Sequence, residues 1–322
     1  MISNSKSILS ITPIEHIKKV KYHLTKAGKL KILPNPSSKK VEKEIHKYSA
    51  IFTNPNKSKV FLGKKILDKA KKLKVIATAS TGTNHIDLNY AKKKKIKIIS
   101  LKEERKLINK ISSTAEHALA LTLASIRNIA ISNKSVLLGE WDYTKFIGHQ
   151  MNFLTVGIIG FGRLGKKYAN YCKSLGSKVY FFDPHKKSFS KKIKKISNLK
   201  RLLKISDIIS VHVHLEKNTY HLINKSFLNK LKKNIVVVNT ARGDIVNEKD
   251  LIEFLKKNKK AKYATDVLEN EIFAKKNNKL IKYAKKNQRQ ILITPHIGGM
   301  TVEAQELAYN FVANKLVRFL KS

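Results

Sequence analysis

The sequence has almost no cysteine and no long apolar run. Its only cysteine is Cys172, so an internal disulfide and a cysteine-rich zinc site are excluded, and a reducing cytoplasm fits. No apolar run approaches the ~20 residues that a membrane span needs, and the N-terminus lacks a signal-peptide pattern. We therefore expect a cytoplasmic globular protein with no membrane partner and no metal. With 322 residues, it is long enough for two domains.

Acidic residues and arginine are also scarce. The chain has 67 basic and 22 acidic residues, a net charge of +45, and of the basic residues 60 are lysine and only 7 are arginine. A nucleic-acid reader generally uses the planar fork of arginine. The lysines are spread over nearly every predicted helix, and Asn and Ile are abundant as well. We interpret the charge as compositional drift rather than a selected polyanion site, and we do not expect a nucleic-acid partner.

A glycine-rich segment connects a predicted strand to a predicted helix. Residues 157–165 read Gly-Ile-Ile-Gly-Phe-Gly-Arg-Leu-Gly, between the apolar run 154–159 and the helical pattern 164–175. In a G-x-G-x-x-G turn, Gly160 permits the tight bend, Gly162 lets a pyrophosphate approach the backbone, and Gly165 lets helix and strand pack closely. The helix start offers N–H groups and a positive dipole end to the phosphates. By itself, such a motif is also compatible with an ordinary tight turn.

Asp183 makes the glycine segment more specific. It ends a second apolar run, 178–182, and lies 18 residues after Gly165. A Rossmann unit places there the carboxylate that binds the ribose hydroxyls. The combination predicts dinucleotide binding, and because a carboxylate repels a 2′-phosphate, it favours NAD over NADP.

Strand and helix patterns alternate in two blocks, which predicts an α/β fold with two domains. In the first block the predicted strands are 7–12, 29–33, 50–53, 74–79 and 96–100. A long apolar helix follows from about residue 113 to 129. Six more strands are predicted in the second block, at 154–159, 178–182, 208–213, 235–239, 263–267 and 290–294, and an amphipathic helix at 301–320. We expect a Rossmann-type doubly wound parallel sheet and a smaller α/β domain, with the active site in the cleft between them.

Three late strands end in residues that suit a nicotinamide enzyme. Arg242 can hold a substrate carboxylate with two hydrogen bonds and polarise a C2 carbonyl. His296 can exchange the hydroxyl proton, and Glu271 can hydrogen-bond the other ring nitrogen of that histidine. Glu269 is close enough in sequence to compete with Glu271 for this role. Asp266 could orient the nicotinamide ring.

In these residues and in several further segments, the chain resembles the D-isomer-specific 2-hydroxyacid dehydrogenases, in the branch that includes phosphoglycerate dehydrogenase. The matching segments are 80–87 (Ser-Thr-Gly-Thr-Asn-His-Ile-Asp), 113–119 (Ser-Thr-Ala-Glu-His-Ala-Leu), 139–141 (Gly-Glu-Trp), the glycine turn with Asp183, and the three strand ends. The resemblance spans nearly the whole chain.

The resemblance implies roles for individual residues and domains. It implies a catalytic trio of Arg242, Glu271 and His296. The cofactor residues that it implies, together with those of the glycine turn, are Thr81, Gly160, Gly162, Arg163, Leu164, Gly165, Asp183, Thr240, Asp266, His296 and Gly299. The substrate residues are Ser80, Thr81, Gly82, Thr83 and Arg242. It further implies a flavodoxin-like substrate domain at 1–106 and 297–322, an NAD-binding domain at 107–296, and a homodimer.

Several positions depart from the family pattern or have two interpretations. Thr78 occupies a position where phosphoglycerate dehydrogenases usually carry a phosphate-binding arginine, which argues against 3-phosphoglycerate as the substrate unless Lys102, Arg105 or Lys106 supplies the missing positive charge. For His117 we favour a structural role, whereas His212 and His214 fit a structural or a cofactor role equally well.

The sequence as a whole predicts an NAD-dependent oxidoreductase. It would transfer a hydride between nicotinamide and C2 of a D-2-hydroxy acid or 2-keto acid, which could be phosphoglycerate-like. The alternative is an NAD-sensing, corepressor-like binding protein with affinity for polyanions, because some members of the family act in that way.

Overall fold

The computed structural model describes residues 6–55, 60–186, 193–272 and 277–322, and it divides into two compact units. The first unit joins Met1–Ile111 to Gly299–Ser322, and the second is the continuous segment Ser112–Gly298. None of the helices within the described ranges combines the length and apolarity that a membrane crossing requires. The same ranges contain no cluster of three or more His, Cys, Asp or Glu side chains suited to a metal ion.

The first unit is built on a five-stranded parallel sheet. Its strands are β1 (Ser7–Ser10), β2 (Lys29–Ile32), β3 (Ala50–Thr53), β4 (Val75–Thr78) and β5 (Lys97–Ile99). Its helices are α1 (Lys18–Ala27), α2 (Ser38–Glu44), α3 (Lys64–Leu67), α4 (Leu88–Lys93), α5 (Arg105–Ile108) and, from the far end of the chain, α13 (Val302–Lys321). The strand order β2-β1-β3-β4-β5 is that of flavodoxin-like folds.

The second unit contains a seven-stranded parallel sheet. Its strands are β6 (Thr155–Ile159), β7 (Lys178–Phe182), β8 (Lys194–Lys195), β9 (Ile208–Val211), β10 (Val236–Asn239), β11 (Lys262–Thr265) and β12 (Ile291–Ile293). Its helices are α6 (Ser113–Ile126), α7 (Ile129–Leu137), α8 (Arg163–Ser174), α9 (Leu199–Ile205), α10 (Lys225–Leu228), α11 (Glu248–Lys257) and α12 (Lys279–Lys286). The order β12-β11-β10-β9-β6-β7-β8 is the Rossmann order with one added edge strand, and it reverses between β6 and β9.

Burial on both faces explains why the central strands are continuous apolar runs. Every residue of β3, β4, β9 and β10 is buried. Helices cover both faces of such parallel sheets, so the strands do not alternate between polar and apolar residues. The apolar face of α13 completes the core of the first unit, where Val312 and Leu316 are fully buried.

Short polar side chains mark where several helices begin. Ser37, Asp87, Asn247 and Thr301 each accept a hydrogen bond from the backbone N–H three residues later. These caps satisfy an N–H group that the first turn of a helix leaves without a partner. Asn247 therefore fixes the start of α11, directly after the turn that carries Arg242.

The long helix predicted from about residue 113 to 129 is shorter in the structure. It ends at Ile126, and α7 begins at Ile129. Asn128 separates them in a left-handed conformation with φ of 57°, which asparagine tolerates better than most residues. The α6 helix packs on α8, β10 and β11 within the second unit.

Candidate active site

The glycine turn lies where the second sheet reverses its strand order. Gly160 follows β6 with φ of 88°, and an added Cβ would lie 2.6 Å from the backbone oxygen of His212. A Cβ on Gly165 would overlap the backbone oxygen of Gly160. An added Cβ on Gly162 would meet no described atom within 4 Å. The first and third glycines are therefore required by the fold itself, whereas the open space at Gly162 leaves room for a ligand.

The turn has features that suit a pyrophosphate. Helix α8 begins at Arg163, directly after Gly162, and no side chain caps its start. Its N–H groups and the positive end of its dipole therefore point toward the open space beside Gly162. Burial lowers the pKa of the Arg163 guanidinium, which still remains charged. Leu164 is partly buried in the core beneath the turn.

Asp183 is tied to the glycine turn. It is buried at the end of β7, and its Oδ2 accepts a hydrogen bond from the Phe161 N–H at 2.8 Å. Its Oδ1 accepts from the His185 N–H at 2.9 Å. The carboxylate is thereby held beside the turn, at the edge of the sheet where a ribose would bind.

Thr240 supplies an independent indication that a ligand is bound at this edge. It follows β10, and its buried hydroxyl has no hydrogen-bond partner among the described residues. Buried polar atoms are nearly always hydrogen-bonded, so such an exception indicates a group supplied from outside the chain. Together with the glycine turn and Asp183, this residue set fits a dinucleotide.

His296 and Glu271 form a hydrogen-bonded pair. His296 Nδ1 lies 2.8 Å from Glu271 Oε1 and 3.1 Å from Oε2, and 19% of each side chain is exposed. The backbone of His296 is left-handed, with φ of 58°. Such a conformation costs about 1 kcal/mol or more in a residue other than glycine, and it persists where the surroundings impose it.

Asp266 imposes the shape of the turn that carries His296. Its Oδ1 accepts from Thr294 Oγ1 at 2.6 Å and from the Ile297 N–H at 2.8 Å, and its Oδ2 accepts from the Gly298 N–H at 2.7 Å. Burial acts to raise the pKa of Asp266, but the hydrogen bonds, led by the one from His117, outweigh it and leave the pKa below its ordinary value. A charged Asp266 thus holds residues on both sides of His296.

His117, for which the sequence favoured a structural role, contributes to the same network. Its Nε2 lies 2.9 Å from Thr294 Oγ1 and 3.4 Å from Asp266 Oδ1. The available signal was its place on the first turns of an apolar helix, three residues after Thr114. The sequence cannot show that this helix face meets the end of β12.

Arg242 lies at the end of β10, in the same unit as His296. Its Nη1 donates to the Ala241 carbonyl at 2.6 Å, and its own carbonyl accepts from Asn239 Nδ2 at 2.9 Å. Burial lowers the pKa of the guanidinium, and the negative charges of Glu271 and Asp244 oppose this shift. Glu271 therefore acts electrostatically on Arg242 and is hydrogen-bonded to His296.

Glu269 does not pair with His296. Its Oε1 lies 2.5 Å from His221 Nε2, so the two carboxylates of this turn serve different histidines. Of the two undecided histidines, His212 is partly buried, and loss of hydration lowers its pKa to about 4, so the ring is neutral. Its Nε2 lies 2.9 Å from Ser210 Oγ. The His214 carbonyl accepts from Thr219 Oγ1 at 2.6 Å.

The remaining predicted residues belong to the first unit. Ser80, Thr81, Gly82 and Thr83 follow β4, and Gly299 opens the final segment of this unit. Ser80 Oγ donates to the Gly82 carbonyl at 2.5 Å. Thr78 is fully buried, and its Oγ1 lies 3.2 Å from His85 Nε2, so its hydroxyl is hydrogen-bonded to a residue that follows the loop.

Comparison with known proteins identifies the relatives of the chain. A D-3-phosphoglycerate dehydrogenase from Archaeoglobus fulgidus is 36% identical over 287 residues, which are 88% of this chain and 52% of that protein. A glyoxylate reductase from Thermococcus litoralis is 34% identical over 267 residues, 80% of this chain and 77% of the reductase. The chain spans about half the length of the curated phosphoglycerate dehydrogenases that it matches.

Solved structures and a family model agree with these relatives. The crystal structure of a D-lactate dehydrogenase from Aquifex aeolicus, in complex with NAD and lactic acid, matches with a TM-score of 0.81 and 28% identity, covering 98% of this chain and 96% of that one. Residues 119–298 match the model of the NAD-binding domain of the D-isomer specific 2-hydroxyacid dehydrogenases. The chain therefore belongs to the D-isomer specific 2-hydroxyacid dehydrogenase family.

Proposed function

We propose that this protein is an NAD-dependent dehydrogenase that transfers a hydride between nicotinamide and C2 of a D-2-hydroxy acid or its 2-keto acid. The observation that carries the proposal is the His296–Glu271 hydrogen bond at 2.8 Å, in the same unit as the glycine turn and Arg242. A proton-exchanging imidazole after β12 and a partly buried guanidinium after β10, at the same edge of one sheet, meet the needs of this reaction. The relatives described above are dehydrogenases and reductases, which favours the enzyme over an NAD-sensing binding protein.

Each residue of the proposed trio has a separate task. Arg242 binds the substrate carboxylate with its planar fork and polarises the C2 oxygen. His296 takes the hydroxyl proton at Nε2 during oxidation and returns it during reduction, because its Nδ1 is engaged with Glu271. Glu271 is hydrogen-bonded to Nδ1 and so holds the ring in place. When bound, NAD supplies the hydride acceptor.

Cofactor binding is proposed for the residues around the glycine turn and the strand ends. Gly160, Gly162, Gly165, Arg163 and Leu164 would hold the pyrophosphate, and Asp183 the ribose. At the nicotinamide end we assign Thr240, Asp266, His296, Thr81 and Gly299. The loop of Ser80, Thr81, Gly82 and Thr83 is proposed to offer backbone N–H groups to the substrate carboxylate. This assignment makes residues 1–106 and 297–322 the substrate domain and 107–296 the cofactor domain, in a cytoplasmic protein.

A panel of 2-keto acids tests the proposal. We expect purified protein to oxidise NADH in the presence of at least one member of a set that includes phosphorylated and unphosphorylated acids. Arg242→Lys keeps the charge but removes the fork, so we expect a higher KM for the keto acid with NADH affinity unchanged. A protein that binds NADH but oxidises it with no member of the panel would contradict the proposal.

We also propose that the protein is a homodimer. Residues 129–153 expose several large apolar side chains, and Leu137, Leu138, Trp141, Ile147 and Phe153 are between 72% and 90% exposed. Large apolar side chains exposed within one chain segment are typical of an interaction surface. A second copy of the chain would bury the same patch on both partners.

Sedimentation equilibrium tests the homodimer. We expect Leu137→Asp to shift the protein from dimer to monomer. Val302→Asp is the control, because Val302 is 68% exposed but lies outside the patch. A wild-type protein that sediments as a monomer at all concentrations would overturn the proposal.

A further inference from the structure

Arg242 and Glu271 lie on two neighbouring turns that a buried polar network joins. The first turn, residues 242–248, connects β10 to α11, and the second, residues 268–271, follows β11. The network consists of His221, Glu248, Glu269 and Asn278, which we call the carboxylate clamp. Its members contact neither His296 nor Arg242 directly in any hydrogen bond that the described residues show.

Two glutamates form the centre of the clamp through reciprocal hydrogen bonds. The Glu269 N–H donates to Glu248 Oε1 at 2.9 Å, and the Glu248 N–H donates to Glu269 Oε2 at 3.2 Å. Asn278 Nδ2 donates to the other oxygen of Glu248 at 2.6 Å. Glu248 and Asn278 are both buried, so these bonds are shielded from water. The start of α11 is thus fastened to the turn that carries Glu271.

His221 closes the clamp from a third segment. Its Nε2 lies 2.5 Å from Glu269 Oε1, and its backbone N–H donates to the Asp244 carbonyl at 2.9 Å. The backbone of His221 is left-handed, with φ of 48°, and its ring stacks on Tyr220 with centroids 4.0 Å apart. The imidazole is therefore held in one orientation against Glu269 of the second turn, and the backbone of His221 binds the first turn.

The two turns also pack without space between them. A Cβ on Gly243 would overlap the carbonyl of Leu268, so the backbones touch directly beside Arg242. Asp244 Oδ1 accepts from the Asn270 N–H at 3.1 Å, and Asn270 is left-handed, with φ of 52°. A shift of Glu269 must consequently move Asn270, and with it Glu271.

The charges in the clamp depend on burial and on each other. Burial raises the pKa of Glu248 to about 7, with the negative charges of Glu269 and Asp244 adding to the effect and the hydrogen bonds from Glu269 and Asn278 opposing it. Of these three acidic residues, Glu269 is the one whose side chain contacts the His221 imidazole. Removal of the imidazole takes away the side chain that is hydrogen-bonded to Glu269. A partly buried carboxylate without this partner destabilises the folded state.

We propose that His221, Glu248 and Glu269 are positioning residues, which hold the Glu271 turn against the Arg242 turn and so set the hydrogen bond between Glu271 and His296. The inference rests on the proposed dehydrogenase activity for its use, but the contacts that it names can be tested without turnover. A displacement of about 1 Å in a catalytic group can lower a rate by about 100-fold. The clamp is the group of contacts that prevents such a displacement.

Kinetics of two sets of variants test the clamp. In Glu269→Gln we expect kcat to fall about 10- to 100-fold, with KM for NADH changed less than about threefold, and the pH profile of kcat to shift. His221→Gln retains an N–H donor toward Glu269 and should keep most of the activity, whereas His221→Leu should behave like Glu269→Gln. Glu42→Gln is the control, because Glu42 is 13% exposed and pairs with Lys69 at 2.7 Å, in the first unit.

A purely structural role predicts a different result. In that case Glu269→Gln and His221→Leu lower Tm, but kcat and its pH profile, measured well below Tm, stay at the wild-type values. That outcome overturns the proposal. If Glu269→Gln does not fold, the comparison of His221→Gln with His221→Leu decides, and equal activity of these two variants also overturns it.

A measurement without substrate separates this proposal from the proposed function. In ¹⁵N-labelled protein, the Nδ1 resonance of His296 reports its hydrogen bond to Glu271. We expect Glu269→Gln to move this resonance and Glu42→Gln to leave it in place. If the wild-type protein reduces no 2-keto acid, the proposed function fails, yet a moved resonance still supports the clamp. An unmoved resonance in folded Glu269→Gln rejects the clamp whatever the activity.

Discussion

Individual side chains of the candidate site show a division between residues for chemistry and residues for geometry. His296 is held by Glu271 at its ring and by Asp266 through the backbone on its C-terminal side. Its left-handed backbone, with φ of 58°, would relax in a free chain, so the network around Asp266 determines where the imidazole lies. Two different carboxylates thus orient the imidazole for which we propose proton transfer.

Removal of the imidazole should stop proton transfer without loss of cofactor binding. We expect His296→Ala to lower kcat by about 10²- to 10⁴-fold, because general acid–base catalysis contributes about that much. NADH affinity, measured by fluorescence titration, should change little. Turnover at the wild-type rate in this variant would remove His296 from the mechanism.

Asp183 should determine which dinucleotide is preferred. Its carboxylate accepts two backbone hydrogen bonds, so we compare Asp183→Asn, which keeps an acceptor, with Asp183→Ala, which removes it. Loss of the charge should narrow the preference for NAD over NADP about tenfold or more in both variants, since hydrogen bonds to charged groups contribute about 1.5–3 kcal/mol. Fluorescence titration with both cofactors measures this, and an unchanged ratio in Asp183→Asn would exclude a charge effect.

Residue identities could be predicted from the sequence more readily than residue partners. Arg242, Glu271 and His296 stand out because they follow predicted strands, and carboxyl ends of parallel strands meet at one edge. The prediction preferred Glu271 to Glu269, but spacing alone does not decide between them, because the choice depends on the left-handed turn at Asn270, with φ of 52°, which sends the two side chains to different histidines. Sequence spacing contains no information on that turn.

Helices and strands with a clear apolar pattern were predicted correctly from the sequence, whereas elements with a weak pattern were missed. The six strands predicted in the second block are present, but β8, Lys194–Lys195, was missed. It consists of two lysines at the sheet edge, and such a segment has no apolar periodicity to detect. The break between α6 and α7 was also missed, because one left-handed asparagine ended the helix within an otherwise apolar run.

The glycine turn offers a matched pair of substitutions. Gly160→Ala forces a side chain into a left-handed backbone beside the His212 carbonyl, so it should lower the free energy of unfolding by about 1–3 kcal/mol. Gly162→Ala meets no described atom within 4 Å, so it should change stability by less than about 1 kcal/mol yet weaken NADH binding.

Urea denaturation and fluorescence titration together measure both effects. Gly162→Ala is the informative variant, because its NADH affinity should fall while its free energy of unfolding stays close to that of the wild type. Wild-type NADH affinity in Gly162→Ala would show that no phosphate approaches this backbone. Equal loss of stability in both variants would contradict the stated difference in their surroundings.

At the scale of the whole molecule, two parallel sheets of different strand order account for the chain. Both were predicted from the alternation of strand and helix patterns, and the reversal between β6 and β9 places the glycine turn at the expected edge. The lysines that produce most of the net charge of +45 take part in none of the contacts described above for the candidate site. The net charge alone suggests a polyanion partner, but the scarcity of arginine and the spread of the lysines argue against one.

The stability of the molecule should depend on pH through Glu248. Its pKa is about 7 in the folded chain, against an ordinary value of 4.5. Between these values the folded state binds the proton and the unfolded state does not, so the free energy of unfolding falls as pH rises from about 4.5 to 7, by at most about 3 kcal/mol. Glu248→Gln should remove this part of the slope in urea denaturation measured at several pH values. A slope identical to that of the wild type would show that Glu248 ionises normally.

The two units also differ in how their chain segments are connected, and this has a consequence for synthesis on the ribosome. The second unit is one uninterrupted segment, Ser112–Gly298, whereas the first needs α13 to bury side chains such as Val312 and Leu316. During translation, part of the hydrophobic surface of residues 6–111 therefore stays uncovered until α13, residues 302–321, has been synthesised. The segment made later can complete its fold first, and the lysine-rich nascent N-terminal portion spends that interval exposed to chaperones and proteases.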